Sequence, residues 1–223
     1  MNSLKLLRLP FWNIVKNKDY VTKLAKYGNT FTNFDNEKCR INQWAHPGWR
    51  KVIDGLSGGD NANTGDFTLE WKDNRHYATN NTVVEGEYCF AWNNLDTVLK
   101  DSLYKRTISE TNTNFNNHIF LFDEINYHAC GSQLFYSNEN PVILLLAKPT
   151  DNRNTDDVLP EDFETFLIPA GLGVNIDSHI WHSPPILPNY DKKIVVNTKQ
   201  SKIHSKIYYN PLTEHNTLLY IQV

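Results

Sequence analysis

The chain has 223 residues, 40% hydrophobic and 13% aromatic, with a formal net charge of -3. This length and apolar content predict a folded chain with a sizeable core and exclude a disordered one. The weak negative charge predicts no nucleic-acid partner, because phosphate binding needs a basic face.

The three cysteines, Cys39, Cys89 and Cys130, are odd in number and widely spaced. That argues against a disulfide framework or a zinc ribbon, and for a reducing, cytoplasmic setting. The opening MNSLKLLRLPFW lacks the long apolar stretch and small-residue cleavage site of a signal peptide. The longest apolar run, Pro141 to Ala147, has a strand's length and falls far short of the ~20 residues that cross a bilayer. No membrane partner is expected.

In chain order, Lys16 to Tyr27 reads as a helix, with Tyr20, Val21, Leu24 and Tyr27 at helical spacing. Ser57 to Asp66 reads as a loop that lacks the lysine and glycine order of a nucleotide-binding motif. Asp66 to Lys72 and Gly86 to Trp92 alternate apolar and polar residues, as strands do. Asn94 to Leu103 reads as a second helix, with Leu95, Val98, Leu99 and Leu103 on one face. Strands follow at His118 to Ile125, QLFYS, PVILLLAK, TFLIPA, KIVVNTK, SKIHSKIYY and TLLYIQV, separated by Gly, Pro, Asn and Asp. Asn152 to Glu164 reads as a polar surface loop.

Short, closely spaced strands with few helices predict an all-β sandwich or barrel and argue against a Rossmann or TIM fold. No repeat or linker divides the chain. The expectation is one domain over 1–223, with a helix and strand region, 1–115, packed on a barrel core, 116–223.

Two segments carry chemistry. NYHACGSQLFYS holds His128 and Gln133, and IPAGLGVNIDSHIWHSPP, some fifty residues on, holds His182. In a barrel, strands distant in sequence become neighbours, and side chains facing one mouth converge. Two imidazoles and an amide would then hold a metal or bind a polar substrate directly. As bland alternatives, each histidine is a satisfied core residue and Gln133 an amide bonded to backbone.

These segments resemble the two motifs of cupin barrels. His128 takes the second histidine place of the first motif, Asn126 the first and Gln133 the glutamate place, while His182 takes the histidine of the second motif. Within cupins, HACGSQLF and GLGVNIDSHIWH are similar to elements of the ureidoglycolate lyase family. GDFTLEWKDNRHYATNNTVVEGEY and the C-terminal SKIHSKIYYNPLTEHNTLLYIQV resemble that family's flanks. The resemblance implies a cupin double-stranded β-helix barrel with a few peripheral helices, a homodimer, and a lyase of purine (allantoin) catabolism that splits ureidoglycolate into glyoxylate and urea.

Such a reaction needs a base for the hydroxyl proton and an acid for the leaving nitrogen, and histidine suits either role. The resemblance implies His128, His182 and Gln133 as catalytic residues and Asn175 as a substrate contact, with a turn residue as its alternative. Trp181 is a substrate-side pocket wall or a core residue, with packing the nearer reading, and His204, alternating with apolar neighbours in KIHSKI, is a candidate substrate-pocket residue. A divalent metal, if used, would sit on His128, Gln133 and His182, although amide ligands at Asn126 and Gln133 make a weak donor set. Direct acid-base work stays open beside it. Arg50 and Arg75 are candidate carboxylate clamps, with solvated surface as the alternative. His46, in WAHPGWR, is a rim residue or a loop anchor. His179, three residues before His182 on a strand, is expected on the opposite, exposed face. Cys130 is expected to pack. Two rivals share the same pocket: a cupin enzyme with another small-acid or sugar substrate, and a binding cupin without catalysis.

Overall fold

All six residues of Val142–Ala147 are buried. A strand that is apolar throughout needs cover on both faces, and the architecture supplies it. The computed structural model describes residues 4–14, 16–42, 48–50, 52–54, 63–72, 75–79, 88–93, 119–122, 125–150, 156–186, 188, 194–200 and 205–223. For 52–54, 63–72, 75–79, 88–93, 119 and 205–206 the description is of the backbone.

Two seven-stranded sheets carry the fold. The first runs in the order β2 (Phe11–Asn13), β12 (Glu164–Ile168), β11 (Val142–Ala147), β14 (Trp181–His182), β9 (Ile125–Tyr127), β16 (Ser205–Tyr209) and β4 (Val52–Asp54). The second runs β3 (Gly28–Phe31), β13 (Gly173–Ile176), β10 (Gln133–Tyr136), β15 (Ile194–Gln200), β5 (Asn63–Lys72), β6 (Arg75–Thr79) and β7 (Tyr88–Asn93). A smaller sheet joins β1 (Lys5–Arg8), β17 (Thr217–Gln222) and β8 (Ile119–Phe122). From β9 onward the chain crosses between the two large sheets at nearly every connection. It puts β9, β11, β12, β14 and β16 in the first and β10, β13 and β15 in the second. The protein is mainly β, and among the described residues no strand pairing joins one large sheet to the other.

The N-terminal strands enter these sheets by direct pairing. β2 lies parallel to β12, while β3, β4 and β5 lie antiparallel to β13, β16 and β15. Between β2 and β3 the chain forms α1 (Tyr20–Leu24), which links the edge of one sheet to the edge of the other. Its Tyr20 ring meets Phe166 edge-on at 5.9 Å, and its hydroxyl donates to the Leu167 carbonyl at 2.8 Å.

Several expectations need correcting. The helix foreseen over Lys16–Tyr27 shrinks to the five residues of α1, because Asn17 folds back to accept from the Asn13 N–H and Gly28 opens a strand. The single strand foreseen at His118–Ile125 is two strands in different sheets. The polar loop foreseen at Asn152–Glu164 contributes Asp156 and Phe163 to the interior, both fully buried. The sequence NPLTEHN between the last two strands is a helix, α2 (Pro211–His215). Asn210 caps it by accepting from the Leu212 and Thr213 N–H groups at 3.0 and 3.1 Å, and Asn216 closes it in left-handed backbone. The second helix foreseen, Asn94 to Leu103, lies outside the described residues.

Gly28 marks the tightest approach between edge strand and sheet. A Cβ at that position would overlap the backbone carbonyl of Asn175 on β13, which the strand pairing holds in place. Gly28→Ala is expected to destabilise the protein by roughly 1–3 kcal/mol, measured as a lowered midpoint in chemical denaturation.

Candidate functional site

β14 is two residues long, and strand alternation sends its two side chains to opposite faces. His182 stands directly across from Leu146 on β11 and Asn126 on β9. It points inward, where the second sheet meets it. Its Nε2 lies 2.8 Å from Gln133 Oε1 on β10, and its ring lies 6.1 Å from that of Phe135. Gln133 in turn donates from Nε2 to the Thr198 hydroxyl on β15 at 3.4 Å. His128 follows β9 two residues after Asn126, and its ring centroid is 5.2 Å from that of His182. The backbone joins the same two segments, because the His179 N–H donates to the His128 carbonyl at 3.1 Å. His128, Gln133, Thr198 and His182 are all buried. The structure therefore brings the three residues singled out as catalytic into one interior constellation.

The hydrogen bonds constrain the proton inventory of His182. Its Nδ1 lies 2.8 Å from the Ile180 carbonyl, which can only accept, so Nδ1 carries a proton. In a neutral ring Nε2 is then an acceptor, and it faces Gln133. Two arrangements satisfy both sides. Either the ring is an imidazolium donating to Gln133 Oε1, or the amide turns so that its NH2 donates to Nε2 and its oxygen accepts from Thr198. In both, the pair occupies the nitrogen and amide that a metal would need. Among the described residues, moreover, no three His, Cys, Asp or Glu side chains gather as a metal-binding group. A metal on His128, Gln133 and His182 would have to displace the Gln133–His182 hydrogen bond and would gain only a weak amide ligand in exchange.

No known family model and no curated protein matches the chain.

Other residues fall elsewhere. Trp181, adjacent to His182, faces outward and packs against Tyr127 at 4.6 Å and Tyr209 at 5.8 Å. Asn175 pairs with Leu134 rather than with Gln133, so it too occupies the outer face of its sheet. There its Nδ2 donates to Glu37 at 2.8 Å and to the Lys38 carbonyl at 3.1 Å. That hydrogen bond leads the influences that hold the Glu37 carboxyl below its ordinary value. Neither residue lines the surface that carries His182. His179 is in a turn of left-handed backbone, not on a strand, and is half-buried against Tyr127 at 5.5 Å. His204 and His46 lie outside the described residues, and Arg75 is in β6. Cys130 is half-buried, and burial pushes the Cys39 thiol to about 11.

Two contributors, Thr198 and Gln200, were not foreseen. Their signal is present in β15, where Ile194, Val196, Thr198 and Gln200 form one buried face at strand period. The apolar start disguises a polar end.

Arg50 is not solvated surface. Its guanidinium donates to the Asp156 and Tyr208 carbonyls at 2.8 and 3.0 Å and grips Glu214 with two bonds at 2.7 and 2.6 Å. It also lies 4.3 Å from the Trp49 ring and 5.4 Å from both Trp181 and Tyr209. Asp156, below it, accepts from the Arg50 N–H and the Tyr127 hydroxyl. Arg50 thus clamps a carboxylate of its own chain and fastens residues 48–50 and α2 to the outer aromatic face. Burial pushes the Glu214 carboxyl up, but the Arg50 bonds, the Asn210 N–H and the Arg50 charge outweigh it and hold the group below its ordinary 4.5. A depressed folded-state value contributes stability that is complete above pH 4.5 and lost as pH falls through the lower, folded value. Glu214→Gln is expected to lower the melting temperature at pH 7, with the gap to the parent closing in acid below that window. A thermal-melt series against pH reads it.

Proposed function

We propose that the protein is a ureidoglycolate lyase-type enzyme on a double-stranded β-helix scaffold. It would cleave a carboxylated hemiaminal into an aldehyde acid and urea. The observation that carries this is the buried His128–His182 pair, 5.2 Å apart, with Gln133 hydrogen-bonded to His182 between the two sheets. The interleaved order of strands β9 to β16 supports the scaffold, since it carries both motif segments to the same interior.

In the reaction one imidazole removes the hydroxyl proton, the oxygen's electron pair forms the new C=O, and the C–N bond breaks. The other imidazole protonates the leaving nitrogen, so urea departs neutral. Gln133 steadies the His182 ring and moves off Nε2 when the substrate claims that nitrogen. No step passes through a metal. A second copy would pair along an edge strand such as β3, which has one partner strand among the described residues, to give a homodimer.

A binding role without turnover is the second reading, and one observation favours it: Gln133 already occupies His182 Nε2. Glyoxylate release from ureidoglycolate by the purified protein separates the two. The lyase reading expects release that a chelator leaves unchanged and that His128→Ala and His182→Ala each lower by roughly 100-fold or more in kcat/KM. Substrate binding without release, abolished by the same substitutions, would establish the binding role instead.

A further inference from the structure

Two buried oxygens near the His128–His182 pair have no hydrogen-bond partner: Oδ1 of Asn126 and Oε1 of Gln200. Both side chains are more than nine-tenths buried. The strand register fixes where they project. Asn126 stands directly opposite His182 across β9 and β14, and Gln200 directly opposite Gln133 across β15 and β10. Residues opposed in this way share a face, with Cβ atoms ~5 Å apart. Each orphan oxygen therefore belongs to the interior surface that carries His182 or its partner Gln133, one from each sheet.

An amide oxygen can only accept. Leaving one buried without a donor weakens the folded state, and a fold that keeps two of them beside one buried imidazole pair calls for a use. We infer that Asn126 and Gln200 are specificity-determining ligand contacts, whose amide oxygens accept from N–H or O–H groups that the ligand presents beside His128 and His182. This rests on reading the interior surface as the ligand site. It adds two residues, on different sheets, that discriminate by donor count. A ligand whose nitrogens are alkylated would fill the same space and leave both oxygens unmet.

The test uses the full chain, the variants Gln200→Met and Asn126→Leu, and two probes. Oxalurate keeps its terminal NH2, and its N,N-dimethyl counterpart lacks those donors. Calorimetric titration is expected to show the parent protein preferring oxalurate by tenfold or more. Each variant should lose tenfold or more in oxalurate affinity and erase the preference. The unliganded variants should melt at or above the parent temperature, because an apolar side chain removes an unmet acceptor. A scaffold role predicts the opposite, so a variant that melts lower or fails to fold overturns the inference. Unchanged oxalurate binding in both variants overturns it too. Amide-dependent binding without glyoxylate release upholds these contacts and rejects the lyase. Release that neither substitution alters upholds the lyase and rejects the contacts. A parent protein that binds neither probe and releases no glyoxylate rejects both.

Discussion

The two-residue period of β9 and β14 governs what the first sheet can do on either side. Tyr127 and Trp181 go outward, Asn126 and His182 go inward, and the strand pairing locks these assignments together. A shift of one residue would exchange an indole for an imidazole on each face. The outward set demands its own register. Trp181, Tyr127 and Tyr209 pack as an aromatic layer under Arg50, and Asp156 ties Tyr127 to residues 48–50. The inner site is therefore held in place largely from behind, by packing that never touches it.

Both faces bury polar groups and both leave some unmet: Trp181 Nε1, Tyr209 Oη and Asn175 Oδ1 on the outer faces, Asn126 Oδ1 and Gln200 Oε1 on the inner. On the outer face, the Arg50 guanidinium is bonded to Asp156, Tyr208 and Glu214, and Gly48 leaves room for Asp156, since a Cβ there would overlap its carboxylate. Glu214 itself stays open to solvent, so breaking its two-bond pair with Arg50 costs about 1 kcal/mol. On the inner face, amides stand beside the imidazoles among Phe135, Leu146 and Ile176, and the Asn126 and Gln200 oxygens are the unmet groups there among the described residues. Polar groups in such surroundings gain most from any partner that arrives, because the medium screens them little.

Much of the strand content was legible, because alternation and turn residues are local signals. Asp66–Lys72, PVILLLAK, KIVVNTK and TLLYIQV all became strands close to where they were expected. His128, Gln133 and His182 were legible as a group through motif order. Face assignments were not. Trp181 packs, as its aromatic bulk suggested, but Asn175 lies in the right segment on the other side, because the side a residue takes depends on its partner strand and pairing is nonlocal. Arg50 was misread for a similar reason. A lone arginine in a Gly-Trp-Arg loop gives no hint that Glu214, Tyr208 and Asp156 await it. The helix at NPLTEHN was legible in hindsight, with Asn-Pro opening it and Asn closing it.

The bond from the His179 N–H to the His128 carbonyl has a temporal meaning. It joins segments some fifty residues apart, and the His182–Gln133 contact spans a similar loop. Long loops must close before such contacts repay them, which makes their formation slow compared with a hairpin. The β11–β12 hairpin lies wholly inside that loop and can form first. The site comes into being only when the two sheets meet around it. A nascent chain that has not yet emitted residue 182 has strands and a core in preparation, yet no partner for His128 and Gln133. Maturation of the fold and acquisition of the site are a single event.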